Sequence, residues 1–419
     1  MPNHPRYRKL GPRLPVLDLL SNRDFRTLWA TSWAWHTGRW AWMVASGYLV
    51  LQLTDSTFQT QLVGVAFFSS MLLGGILSGV VADAFDRRAV LIFCHVFDLL
   101  VLGTTVFLVY SGQAQGWHII ALSALYGIPH TLDMATRRNF ALDIVGRKSI
   151  PYANALEGMS MMAAGSLGPF FAGWLIAFLP LGQSADAAAP YIFIITIYVI
   201  ALIALLTIPA RTHQKVLIRA GSIFTPILEG LTAVRSNHAI IGTLGIILTM
   251  NLFYYSYIPL IPVFADKVLA VGPALLGILA ASQGFGAFLT TVFITTRRSI
   301  ARNSTYFIAG TFVSFLGLII FSLSNSYLLS VGALMLAGLG MSGFVSMAFS
   351  LVLLSVDEHL GGRAMGFANT AIGISPLSML ALGWLAETFG PGTAVAISAS
   401  LGLVISAAWA YRSPAMRAL

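Results

Sequence analysis

With 419 residues, 57% of them hydrophobic and only 9% charged, the chain is far poorer in charge than a soluble domain, where about a quarter of residues are charged. One or two soluble domains cannot hide that much apolar side chain from water, so composition excludes an ordinary soluble fold and makes lipid the expected solvent. The net charge of +9 invites a nucleic-acid reading, which the placement of the charges removes. The single cysteine, Cys94, permits no intrachain disulfide.

A helix needs about 20 apolar residues to cross the hydrocarbon core. Twelve such runs occur in chain order: 27–53, 60–81, 89–111, 116–136, 153–179, 190–209, 240–264, 272–294, 304–324, 327–354, 365–388 and 392–411. A spanning backbone must satisfy its own hydrogen bonds, so each run is expected to be helical. The first follows a basic stretch and is too long for the apolar part of a signal peptide, so no cleavable leader is expected.

Placing both termini in the cytoplasm puts 22 of the 24 basic residues in or beside cytoplasmic segments. Only Lys267 falls outside and Arg39 falls within the first helix. Positive charge so one-sided fixes orientation in an inner membrane and leaves nucleic-acid binding without support. The longest cytoplasmic segment divides the chain into an N-terminal six-helix half (1–209), a central loop (210–238) and a C-terminal six-helix half (239–419). In that loop, 223–234 has the character of a short interfacial helix. The halves read as duplicated. Gly146-Arg147, Ala153-Asn154 and Gly173-Trp174-Leu175 around the fifth helix are echoed by Gly362-Arg363, Ala368-Asn369 and Gly383-Trp384-Leu385 around the eleventh.

The loop after the second helix reads Gly79-Val-Val-Ala-Asp83-Ala-Phe-Asp86-Arg87-Arg88. It resembles the loop signature of the major facilitator superfamily at Gly79, Asp83, Arg87 and Arg88, and departs from it at Ala84 and Asp86. The resemblance covers essentially the whole chain. It implies an all-α integral membrane fold of twelve helices in two pseudo-symmetric halves, working by alternating access around a central site. It also implies a conformational latch, with Asp83 set against the start of the eleventh helix near Arg363 and Gly366; a carboxylate suits a helix N-terminus. Alternatively, the loop charges are solvated topology signals. In the fifth helix, Gly165, Gly168, Pro169 and Gly173 resemble the antiporter signature of the same superfamily, with Ala172 at one of its glycine positions. Small residues at those positions also serve close helix packing. Leu51-Gln52-Leu53-Thr54, 135–145, Ala153-Asn154-Ala155, Ile261-Pro262-Val263-Phe264-Ala265 and Gly361-Gly362-Arg363 resemble the drug:proton antiporter branch that includes macrolide and enterobactin exporters. That branch commonly carries an acid in the first helix, where this chain has Arg39.

Charge inside a helical bundle is expensive and marks function by default. At about 1.5 Å per residue, His36 and Arg39 lie roughly 14 and 18 Å in, Asp98 roughly 14 Å, His130 roughly 12 Å and His95 roughly 9 Å. Groups withdrawn from water titrate nearer the working pH, which suits proton coupling. Asp98 is the expected proton-responsive carboxylate, paired with Arg39 in one state, with His36 or His130 sharing the proton; an Asp98–Arg39 pair that merely holds helices together is the structural alternative. His95 reads as a packing histidine, and Asp133 and Arg137, four apart, as a pair along one helix.

Trp40, Asn251, Tyr254, Tyr255 and Asn369 are the expected substrate-cavity residues, since the resemblance implies that the first, fourth, seventh and tenth helices line the cavity and aromatic walls suit bulky, partly apolar ligands. Trp29, Trp117 and Trp409 read as interfacial anchors. No nucleophile–base pattern or metal-ligand spacing stands out, and no enzyme activity, cofactor or metal is expected. The expected function is proton-driven export of an amphipathic small molecule by a chain acting as a monomer. Proton-coupled uptake, lipid flipping and a non-transporting receptor or scaffold are the competing readings.

Overall fold

The computed structural model describes residues 15–179, 186–209, 238–296, 303–354 and 373–417. Among them every regular element is helical. Each of the twelve apolar runs has its helix: α1 Arg23–Thr54, α2 Thr57–Ala84, α3 Arg87–Tyr110, α4 Gly116–Val145, α5 Ile150–Phe178 and α6 Ala189–Thr207. The second set begins with α7, an irregular helix from His238 to Val268, followed by α8 Pro273–Thr296, α9 Asn303–Ser322, α10 Tyr327–Leu354, α11 Ser375–Phe389 and α12 Pro391–Arg412. The central loop falls almost wholly outside the described residues.

The ends of these helices follow from local chemistry. Asn22 caps α1, its side chain accepting from Asp24 and Phe25 N–H, as short polar side chains do at a helix start. Asp86, at the position where a glycine is usual in the loop signature, caps α3 by accepting from Ala89 N–H at 2.8 Å. Proline stands in the first turn of α5, α6, α11 and α12, where its missing N–H costs nothing. Gly146 closes α4 at φ +76°, a conformation that favours glycine.

Packing repeats with a shift of six helices. α2 packs on α4, α3 on α4 and α3 on α6; likewise α8 packs on α10, α9 on α10 and α9 on α12. Between halves, α5 meets α8 and α2 meets α11. The echoed Gly-Trp pairs occupy equivalent places: Gly173 lies against Gly277 of α8 and Gly383 against Gln61 and Phe58 of α2, while Trp174 and Trp384 are both exposed on the outer surface of the bundle. At the α5–α8 seam, Cβ atoms at Gly173 and Gly284 would run into Gly277 and Gly165, so the backbones approach as closely as they do because both helices carry glycine there.

Eight helices are long and apolar enough to cross a membrane among the described residues, namely α3, α5 to α10 and α12. The other four differ for identifiable reasons. α1 and α4 carry the polar groups of the candidate site, and much of α2 and the N-terminal side of α11 lie outside the described side chains or residues.

One expectation about charge needs correcting. The fourth apolar run was expected to end at 136, with Arg137 in a cytoplasmic segment. α4 continues to Val145, and Arg137 is only 3% exposed. Its guanidinium bonds Asp133 at 2.8 and 3.1 Å, so it is an interior charge, not a topology signal.

Candidate functional site

The polar interior of the molecule lies where α1, α3, α4, α5 and α6 converge. α1 brings His36 and Arg39 to neighbouring turns, and each reaches a different helix. His36 Nε2 pairs with Glu157 Oε1 on α5 at 2.9 Å. The Arg39 guanidinium lies 2.6 Å from His130 Nε2 on α4 and over the rings of Trp35 and Trp40 at 5.6 and 5.2 Å. Trp35 stacks on His130, centroids 4.8 Å apart, and lines the same small pocket as Asp98 of α3. One oxygen of Asp98, Oδ1, is buried without a partner. Burying a charged group without a partner costs several kcal/mol, so that oxygen calls for a cation, a water or a proton.

Arg39, Asp98, His130, Tyr126 and Tyr198 line one small pocket with Trp35 and Phe67. Its space of about 10 Å³ is on the order of a single water. The Tyr126 and Tyr198 hydroxyls lie 2.8 Å apart, and Tyr198 donates onward to the Trp35 carbonyl. Asp98 therefore points into the bundle, 2% exposed, and the expected Asp98–Arg39 pair is not formed in this conformation. Arg39 is bound to His130 instead.

A second network lies nearer the end of the bundle that holds the chain termini. Asp133 and Arg137 form a bidentate pair, and Arg137 also donates to Thr31 Oγ1 at 2.8 Å and Ser32 Oγ at 3.2 Å on α1. His95 is fully buried, bonds the Leu91 carbonyl and sits 3.8 Å from Asp133. Arg137, Glu157 and Ser32 reach a narrow vestibule between α1, α4 and α5.

The central cavity lies between the halves. Trp40, Met43, Met161 and Met162 line it from one side, and Tyr255, Gln283 and Met341 from the other. Its solvent-accessible space is about 100 Å³, below the roughly 300–1,000 Å³ of typical small-molecule sites; this conformation is closed down around it. Gln283 is held by Tyr257, whose hydroxyl donates to Oε1 at 2.6 Å, and by its own bond to Tyr254 at 3.1 Å. Among the described residues no carboxylate lines this cavity.

Two of the expected cavity residues are therefore in place, Trp40 and Tyr255. Two are not. Tyr254 is fully buried and donates to the Ala337 carbonyl on α10. Asn251 turns back onto the Ile247 carbonyl of its own helix. The reason is the irregular path of α7: its backbone loosens over Met250–Tyr254 and tightens over Tyr255–Leu260. Pro259 and Pro262 each remove a helical hydrogen bond, and the regular 3.6-residue phase no longer says which side chains face inward. Asn369 lies outside the described residues.

Of the expected latch, Gly79 and Asp83 fall in the last turns of α2. Their side chains, like Arg363 and Gly366, lie outside the described residues. Arg87 pairs with Asp143 and donates to the Asn139 carbonyl of α4. Arg88 donates to the Leu205 and Leu206 carbonyls that end α6. Both arginines thus tie α3 to its own half. Among the described residues, polar contacts that bridge the halves include two at the opposite end. Lys267 pairs with Asp55 at 2.9 Å, and Glu387 of α11 accepts from Ser56 Oγ and Phe58 N–H at the start of α2. Gly165, Gly168 and Gly173 of the antiporter-like motif all face neighbouring helices, Gly168 against the α1 backbone at Thr37 and Ala41.

Glu157, Tyr126 and Tyr198 were not among the expected site residues. Glu157 carried a usable signal, since it is the only acid in the fifth apolar run. Because α5 begins at Ile150 and not near 153, it lies three residues, about 4.5 Å, further along the helix than the run implied.

A twelve-helix bundle with an interior charged network and a central cavity has the architecture of a transporter. A family model described as transmembrane secretion effector matches residues 16–418. The chain belongs to that family of major facilitator transporters. An uncharacterized MFS-type transporter of Bacillus subtilis (strain 168), YfiS, is 24% identical over 410 residues, spanning 92% of each chain. A POT family transporter solved with a thioalcohol-conjugated peptide aligns at a TM-score of 0.74 with 10% identity, over 96% of this chain and 100% of that one. A bacterial homologue of the human lysosomal transporter Spinster, inward-facing and occupied, aligns at 0.70 with 14% identity, over 96% and 98%. At such identities these structures establish the fold alone. This transporter is a multi-pass membrane protein that handles a small-molecule substrate.

Proposed function

We propose that this transporter exports an amphipathic small molecule in exchange for protons, acting as a monomer in the inner membrane with both termini cytoplasmic. The observation that carries the reading is the juxtaposition of Asp98, buried with one oxygen unpartnered, and Arg39, whose guanidinium lies over the Trp40 wall of the cavity. A carboxyl that alternates between a proton and Arg39, one helical turn from the substrate wall, links protonation to the state of the cavity. His130 holds Arg39 in the present state, and His36 with Glu157 offers a second proton-handling pair toward the terminal end. Inward proton movement supplies roughly 2.3 kcal/mol per charge per 100 mV. The glycine motif of α5 and the resemblance to the drug:proton antiporter branch favour export over uptake.

The test is proton movement in proteoliposomes carrying an internal pH-sensitive dye, with a panel of lipophilic cations, neutral macrolides and anionic amphipaths. Proton flux opposite to compound flux, abolished in Asp98→Asn, is expected. Unchanged proton-driven flux in Asp98→Asn would remove Asp98 from the mechanism, and co-directional flux would make the protein an importer.

A further inference from the structure

Among the described residues, the cations of the N-terminal half mostly have oxygen partners. Arg137 has Asp133 and Arg87 has Asp143, while His36, where charged, has Glu157. Arg88 donates to the Leu205 and Leu206 carbonyls, whereas Arg39 has a nitrogen base, His130, and two indole faces. No carboxylate oxygen lies within ion-pairing distance of it among the described residues, although Asp98 lines the same small pocket. A guanidinium is charged at any physiological pH, and an unneutralised charge in a low-dielectric interior favours whatever anion can reach it.

The cavity beside it is built to hold an apolar body. Four methionines and Trp40 form its walls, and thioether side chains adapt to irregular shapes. None of its polar groups carries negative charge, and beside the Tyr255 hydroxyl it offers an indole donor. The Trp40 indole N–H is buried with no partner, next to Gly165 of the cavity lining. The Gln283 carbonyl already accepts from Tyr257. A lipophilic cation entering this site finds no counter-charge, and Arg39, which lines the adjoining small pocket and lies against the Trp40 ring of the cavity wall, repels it.

We infer that the central cavity selects amphipathic acids: an apolar body among the methionines, with an anionic head drawn to Arg39 and the Trp40 indole. This rests on the transport reading above for its purpose but not for its test. In that frame the ligand head and Asp98 are alternative partners of one guanidinium, which gives exchange between them a physical basis.

The experiment is equilibrium binding to the full chain in nanodiscs, with three probes sharing one naphthylalkyl body and ending in a carboxylate, a carboxamide or an ammonium. The carboxylate is expected to bind at least about tenfold more tightly than the ammonium, the scale of a charge-assisted hydrogen bond. Arg39→Gln should erase that preference and Arg39→Lys should keep most of it, with thermal unfolding verifying that both variants are folded. Trp40→Phe should weaken carboxylate and carboxamide together. Ammonium binding equal to or tighter than carboxylate binding, an undiminished preference in folded Arg39→Gln, or no binding of any probe would overturn the inference. Carboxylate binding without proton movement in the liposome assay would uphold the anion site while removing proton exchange.

Discussion

The two halves share a packing plan but not an interior. Every fully buried charged or imidazole side chain among the described residues lies in the N-terminal half: His36, His95, Asp98, His130, Asp133 and Arg137. The corresponding interior of the C-terminal half is neutral, built from Tyr254, Tyr257, Gln283 and pairs of hydroxyls such as Ser256–Ser378 and Thr291–Ser342. The same helix arrangement therefore tolerates either chemistry, and the asymmetry is a property of the side chains. Burying ions is costly unless they are paired, whereas neutral hydrogen bonds roughly break even against water. In the proposed mechanism the half that retains the expensive chemistry handles the proton, and the neutral half supplies the other wall of the cavity.

The strongest way to break this comparison is to remove one partner of a buried pair. Arg137→Met strands Asp133, which is wholly buried, and should cost about 3–5 kcal/mol, visible as a large drop in thermal stability in detergent. Adding Asp133→Asn should recover much of the loss; a single variant as stable as the parent would show that the pair is not a stabilising unit. The matching change in the neutral half is Gln283→Leu, which takes the acceptor from Tyr257. Its expected cost is about 1–3 kcal/mol, and a loss as large as that of Arg137→Met would erase the distinction between the halves. The smallest effect belongs to the contacts that join them. Glu387→Gln weakens the carboxylate that accepts from the start of α2, where negative charge is favoured. Because the site is exposed, opening at that end should rise only about two- to fivefold. Thiol labelling of Gln61→Cys in a Cys94→Ala background measures it, since Gln61 is buried at this seam, and unchanged labelling would show that Glu387 is no latch.

The distribution of charge between halves was legible early. The chain between 238 and 296 holds only Asp266 and Lys267 among its acidic and lysine residues, and both lie at the end of α7. By contrast, which aromatic residues face the cavity was not legible on α7, because two prolines disturb the helical phase there. The Arg39–His130 bond was equally out of reach: the depths of both groups followed from counting residues, but their partner choice depends on how α1 and α4 rotate against each other. Glu157 was visible as an acid within an apolar run, but its partner His36 was not.

What the sequence by itself determined is the class of solvent, the number of helices and the duplicated plan, because hydrophobic run length and the need to satisfy backbone hydrogen bonds in lipid leave little choice. It also determined that ionisable groups cluster at one depth in one half. The Asp133–Arg137 pair followed from a spacing of four along one helix, but only the tertiary structure decided that His36 pairs with Glu157 and Arg39 with His130, leaving Asp98 with an unpartnered oxygen. Pairing depends on distances of 3 Å between helices far apart in the chain, and helix rotation, not residue spacing, sets those distances.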